Sequence, residues 1–225
     1  MNSEMFYIVK STTEKLDISG GWDNFIWKKV EVMEIKNYMG ARPAHFPKTQ
    51  FKLLYDNDNL YVFFRVEDQY VKCVAERIHS NVCCDSCVEF FFSPYNSLME
   101  NYFNLEINCG GTPLLHYGSK TNRQPLSDLD CKKIKIYHSL PKLIKVEIIE
   151  PTEWFLQYRI PFEVIEKYSM IDHPADGVIW RANFFKCASK TSHPHWLTWS
   201  KVNSPKPQFH LPEYFGEIRF SNKTA

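Results

Sequence analysis

The chain has 225 residues, a length that fits one domain spanning residues 1–225, and its 44% apolar and 16% aromatic side chains suffice to bury a substantial core. Its 27 basic and 26 acidic side chains nearly cancel, with no long run of one sign, so nothing argues for nucleic acid or an anionic membrane as partner. No apolar stretch approaches the roughly 20 residues of a membrane span, and seven cysteines without regular spacing make a poor disulfide framework.

The amino terminus, MNSEMFYIVKS, has no basic segment followed by an apolar one. A cytoplasmic chain with free thiols is therefore expected, or a secreted one if a signal has been removed. GGWDNFIWKKV predicts one or two helical turns near Trp22–Lys28. QFKLLYDNDNLYVFFRVED predicts a hairpin, with strands Phe51–Tyr55 and Leu60–Glu67 about an Asp56-Asn57-Asp58-Asn59 turn. Further strands are expected at Cys87–Ser93, Tyr102–Cys109, Pro113–Tyr117, Ile134–His138, Leu143–Ile149, Trp154–Ile160, Val178–Lys186 and Phe215–Phe220. Pro161 suits the first turn of a short helix at Phe162–Lys167. Many short strands and one or two short helices predict an all-β, antiparallel, jelly-roll-like sandwich.

Alternation sorts the strands into faces. Phe103, Leu105, Ile107 and Cys109 share one face, opposite Tyr102, Asn104, Glu106 and Asn108. Trp180, Ala182 and Phe184 likewise stand opposite Arg181, Asn183 and Phe185. A face of amides, carboxylates, guanidinium groups and rings suits a sugar, whose hydroxyls need planar hydrogen-bonding groups and whose apolar face needs rings. The same pattern also marks any half-exposed antiparallel sheet.

The stretch CCDSCV poses a separate question. Cys84 and Cys87 have C-x-x-C spacing, but Asp85 and Glu89 beside them would raise a thiol pKa, so Cys87 reads as a small buried side chain rather than a redox group. Zinc would need Cys84 and Cys87 joined by His193 and His195 across the fold. His45, His116, His193, His195 and His210 are otherwise expected in turns and at the surface. No G-x-S-x-G occurs, which removes the nucleophile-elbow reading.

Three segments in order carry a resemblance. They are LDISGGWDNFIWKKVEVMEI, VCCDSCVEFFFSPYNSLMENYFNLEINCGGTPL and WRANFFKCASKTSHPHWLTWSKVNSPKPQFHLPEYFGEIRF. Together they resemble carbohydrate-binding family 9-like domains over nearly the whole chain. The resemblance implies a β-sandwich that binds a saccharide without cleaving it, using a clamp of two rings, and carries any calcium in a structural role. It implies Glu89, Asn104, Glu106, Asn108, Arg181 and Asn183 as hydroxyl-binding groups and Trp199 or Trp196 as a stacking ring. Cys83 stands where members commonly have an aromatic clamp; Trp196, Tyr102 and Tyr117 are candidates to compensate.

The expected function is thus non-catalytic binding of an oligo- or polysaccharide on the polar sheet face and adjoining loops. The alternatives are a glycan-active hydrolase using Glu89 and Glu106, or an intracellular interaction module that has lost the sugar. No cofactor is required by this reading; Asp56, Asp58 and Asp68 offer oxygen ligands to a structural calcium. Nothing in the sequence sets an oligomeric state.

Overall fold

The computed structural model describes residues 5–14, 16–19, 21–96 and 100–225. Gly20 of the opening motif and Ser97, Leu98 and Met99 between the two signature strands lie outside the described residues, as do Met1–Glu4 and Lys15. In chain order the strands begin β1 (Phe6–Ser11), β2 (Met33–Ile35), β3 (Asn37–Tyr38), β4 (Lys48–Tyr55), β5 (Asn59–Asp68), β6 (Val71–Cys73), β7 (Cys87–Ser93) and β8 (Tyr102–Asn108). They continue β9 (Pro113–Gly118), β10 (Arg123–Pro125), β11 (Lys135–His138), β12 (Ile144–Ile148), β13 (Thr152–Pro161), β14 (Ile179–Cys187), β15 (Trp196–Thr198) and β16 (Gly216–Thr224). Helix is confined to α1 (Asp128–Cys131), α2 (Phe162–Glu166) and short 3-10 turns.

The hairpin of β4 and β5 forms for the reason its turn suggests. Asp56 Oδ1 accepts from the backbone N–H groups of Asp58 and Asn59, at 2.8 and 2.7 Å, closing a local turn before the ladder starts. Pairing then runs from Tyr55 opposite Leu60 to Lys48 opposite Glu67. Near Trp22 the expected helix is instead a 3-10 turn at Trp27–Lys29. Asn24 Oδ1 accepts from the N–H groups of Ile26 and Trp27, and both Trp22 and Trp27 pack edge-on against Phe63. The short α1, not expected from sequence, is capped by the Ser127 hydroxyl, which accepts from the Asp130 N–H.

Two runs of strands make the layers: β10-β9-β8-β7-β14-β16 and β4-β5-β13-β11. Within each run the pairing is antiparallel. β1 departs from this, pairing parallel with β16 and, at Lys10 and Ser11, with β4, so that it joins the two layers. The layers face each other through rings: Phe51 of β4 stacks on Phe184 of β14 with centroids 3.8 Å apart. Phe90, Phe92, Leu105, Ile107 and Trp180 fill the same interlayer core. Alternation therefore assigned the inner faces of β8 and β14 correctly.

The opposite face of β7, β8 and β14 is not open to water. A second apolar cluster covers it, in which Phe91, Tyr102 and Phe185 meet Val202, Phe209 and Phe215 from the chain between β15 and β16. Phe185 and Phe209 stack with centroids 4.2 Å apart. The polar groups of this face are consequently buried, and each must find a partner inside the fold or in a ligand.

Candidate functional site

Register places the outward side chains of β8, β7, β14 and β15 in rows across the sheet. One row reads Glu106, Glu89, Phe185, Thr198; the next reads Asn108, Cys87, Cys187, Trp196. Above these rows a cavity of about 230 Å³ opens, lined by Glu89, Glu106 and Cys187 from the sheet, Trp196 from β15, and Phe209 and His210 from the covering loop. Cys83, on a 3-10 turn, also borders it, and Ser189 Oγ fixes that turn by donating to the Cys83 carbonyl at 2.9 Å.

The electrostatics are unusual. Glu89 and Glu106 face each other directly and are both buried. Burial pushes the Glu106 carboxyl up to about 7, although Asn104 and Arg123 favour its ionised form. Glu89 is raised as well, by burial first and then by Glu106 and the Cys187 thiol, which lies 3.1 Å from Oε1. The pair therefore keeps a proton into the neutral range, presenting a donor and acceptors together. Asn104 Nδ2 donates to Glu106 Oε1 at 3.1 Å, while its Oδ1 is buried without a partner among the described residues.

A relay stands behind the pocket. Arg123 Nη1 donates to the Tyr102 hydroxyl at 3.1 Å, and that hydroxyl lies 2.9 Å from His210 Nδ1. Burial depresses the His210 pKa to about 3, so the ring is neutral, and a hydroxyl that accepts from Arg123 is set to donate to Nδ1. The tautomer with hydrogen on Nε2 follows.

The residues expected to form the site divide. Glu89, Glu106 and Trp196 line the cavity, and Asn104 orients Glu106. Asn108 binds Asp85 Oδ2, the Ala75 carbonyl and the Thr112 N–H, and so fastens loops. Asn183 bonds both the N–H and the carbonyl of Ser200. Arg181 bridges Glu217 and the Phe215 carbonyl. Trp199 is fully buried in the interlayer core, edge-on to Phe51 and Phe184, and so close to Gly216 that a Cβ there would sit 2.8 Å from its ring. It has no face free to stack on a sugar. Of the rings proposed to replace a clamp at Cys83, Trp196 alone borders the cavity; Tyr102 is buried behind it, and Tyr117 packs on Phe103.

Phe209, Arg123 and Cys187 were not singled out in the sequence as site residues, and His210, expected in a turn or at the surface, lines the cavity instead. The closing stretch FHLPEYFG of the third resembling segment contains Phe209 and His210, which is the signal that could have found them.

The histidine expectation also needs correction. His195 is buried, with Nδ1 3.0 Å from the His193 carbonyl and Nε2 2.8 Å from Lys186 Nζ. Lys186 Nζ in turn lies 3.1 Å from Asp68 Oδ2, and His45 Nε2 lies 2.7 Å from Asp68 Oδ1. His195 is therefore spent in a buried ion network, and the Cys84–Cys87–His193–His195 zinc set does not assemble. Burial also holds the Cys87 thiol far above its usual range, in keeping with an unreactive side chain.

A two-layer β-sandwich with a ring-walled, carboxylate-floored pocket fits the class of saccharide-binding modules. The chain belongs to carbohydrate-binding family 9, whose sequence model matches residues 23–220. Its fold is shared, at a TM-score of 0.86 and 26% identity, with a protein from Bacteroides uniformis ATCC 8492 that has been assigned a carbohydrate-binding role; the match covers 97% of this chain and 100% of that one. A family 9 module from Caldicellulosiruptor kristjanssonii, solved with cellotriose, matches at a TM-score of 0.64 and 17% identity over 98% of this chain and 95% of that one. Its glucose complex matches at 0.63 and 16%, covering 98% and 97%. No curated protein matches the chain.

Proposed function

We propose that the cavity between Trp196, Phe209 and the Glu89–Glu106 pair is the saccharide site. The observation that supports this most directly is the convergence of two buried carboxyl groups with two rings around about 230 Å³. That volume is below the roughly 300–1,000 Å³ of drug-sized pockets, and suits a single sugar ring. The carboxyl pair would accept and donate hydrogen bonds to vicinal hydroxyls while Trp196 covers the apolar sugar face. The family 9 modules of similar fold that were solved with glucose and cellotriose support the ligand class.

The site is proposed to work without calcium. Asp56 uses its oxygens on the hairpin turn and the Tyr61 hydroxyl, and Asp68 is matched by Lys186 and His45. That leaves Asp58 alone of the three expected ligands, too few for an ion that takes roughly six to eight oxygens. All seven cysteines are unpaired, which supports a reducing compartment.

The test is calorimetry with glucose, cellobiose and a panel of oligosaccharides on the wild type and Trp196→Ala, with reducing ends measured in parallel. Binding that is weakened in Trp196→Ala, without release of new reducing ends, supports the reading. No heat from any sugar sinks it, and turnover that disappears in Glu89→Gln would make the protein a hydrolase instead.

A further inference from the structure

The row beneath the pocket holds a second constellation. Cys87 and Cys187 are register partners on β7 and β14, and Glu89 lies two residues along β7 on the same face. One ligand atom from each, two thiol sulfurs and a carboxylate oxygen, lie within 4.8 Å of one another, and all three residues are buried. A tetrahedral zinc at about 2.3 Å from sulfur and about 2.0–2.2 Å from oxygen needs its ligand atoms somewhat under 4 Å apart. Cys187 Sγ and Glu89 Oε1 are already 3.1 Å apart, so small side-chain adjustments close the set, and paired strands hold it.

We propose that Cys87, Cys187 and Glu89 form a binding site for a thiophilic divalent cation of the zinc type at the floor of the pocket. Three arguments carry it. First, these acidic groups are packed together with no cation among them. Lys186 projects from β14 to the opposite face, where it is held by Asp68, His195 and the Cys187 carbonyl. Second, the donor set is soft: two thiolates select zinc-like ions over calcium or magnesium, which prefer oxygen. Third, Glu89 and Cys187 border the cavity, which supplies an entry path and an open coordination position for water.

The exchange balances simply. One divalent cation enters, two thiols and one carboxyl release up to three protons, and the site goes from neutral to a net charge of −1. The proposal does not depend on sugar binding, although the two ligands would share Glu89.

The experiment uses the full chain, reduced with a non-thiol reductant, and Zn²⁺ alone as probe, with Cd²⁺ as a spectroscopic stand-in. Expected are one zinc per chain surviving gel filtration and a thiolate-to-cadmium charge-transfer band of two-sulfur intensity. Cys87→Ser and Cys187→Ser should each lower affinity beyond the roughly 10–100-fold that supporting residues cost. Cys84→Ser should leave it unchanged, which separates this set from the C-x-x-C spacing. Binding that persists in both β-strand variants, or that vanishes in Cys84→Ser, overturns the proposal. If those variants misfold, the wild type still decides: a folded, reduced chain that shows no charge-transfer band with cadmium overturns it too.

Discussion

Glu89 of β7 and Glu106 of β8 stand directly opposite each other in an antiparallel ladder, both buried, beneath a cavity walled by Trp196 and Phe209. Like charges so placed oppose each other and burial opposes both, so the pair is costly to the empty fold. A ligand rich in hydroxyls relieves that cost. Glu89→Gln and Glu106→Gln should therefore each weaken saccharide binding by about 1–3 kcal/mol while leaving the protein folded. Calorimetry beside circular dichroism checks both halves. A variant that binds as well as wild type removes that residue from the site.

The two tryptophans near the end of the SHPHWLTW stretch should behave oppositely. Trp196→Ala strips a pocket wall and should cost about 2 kcal/mol of sugar affinity with little loss of stability. Trp199→Ala empties the interlayer core beside Phe51 and Phe184 and should cost about 3–5 kcal/mol of folding stability in denaturant titration. If Trp199→Ala is stable yet blind to sugar, the assignment of these rings is reversed.

Cys83 borders the cavity on the wall where the resemblance predicts a second ring. Its side chain is half-buried, and replacing it with Phe or Trp should add ring contact to a bound sugar. A gain of about 1 kcal/mol, or some fivefold in affinity, is expected from Cys83→Phe. An unchanged affinity would mean that a bound sugar does not reach this wall.

What could be seen in the sequence was face assignment. Alternation grouped Asn104, Glu106 and Asn108 on one face of their strand and Arg181 and Asn183 on one face of theirs, the resemblance added Glu89, and the register sets all six on the same side of the sheet. What could not be seen was the cover. Val202, Phe209 and Phe215 lie far along the chain from β7 and β8, and nothing local signals that they close over those strands. That cover turns a solvated polar face into a buried one, where Asn183 answers Ser200 and Asn108 answers Asp85. It also brings His210 and Phe209 to the pocket. β2, β3, β6, β10 and β15 went unread because strands of two or three residues are too short to show a period, and β1 because its outward positions, Phe6 and Ile8, are apolar like the buried Tyr7 and Val9 and hide the alternation.

Chelation gives a separate test. Adding calcium to chelator-treated, zinc-free protein should leave both the thermal midpoint and glucose binding unchanged, since Asp56 and Asp68 are satisfied from within. A midpoint that drops with EDTA and returns with added calcium would locate oxygen ligands elsewhere in the chain.

The Lys186–Asp68–His195–His45 network predicts how stability responds to acid. Burial works against ionising Asp68, but Lys186 and His45 outweigh it and hold the carboxyl well below its usual range. Burial, reinforced by Lys186, depresses His195 to about 3. The signs agree. An unfolded histidine takes up a proton below about 6.5, whereas folded His195 resists until about 3, so its contribution is lost as pH falls through that window. Asp68 adds stability above its unfolded value near 3.9, and loses it as pH falls further. Glu89 and Glu106, raised by burial, pull the other way as pH falls, so the network is read as a difference: between about pH 6.5 and 4 the midpoint of His195→Asn should fall less, or rise more, than that of the wild type. Lys186→Met should cost about 3–5 kcal/mol at neutral pH by leaving Asp68 charged and short of its main partner, and adding Asp68→Asn should recover part of the loss. Equal acid sensitivity in wild type and His195→Asn would show that another group controls the decline, with His210 and His116, both depressed by burial, next to be replaced.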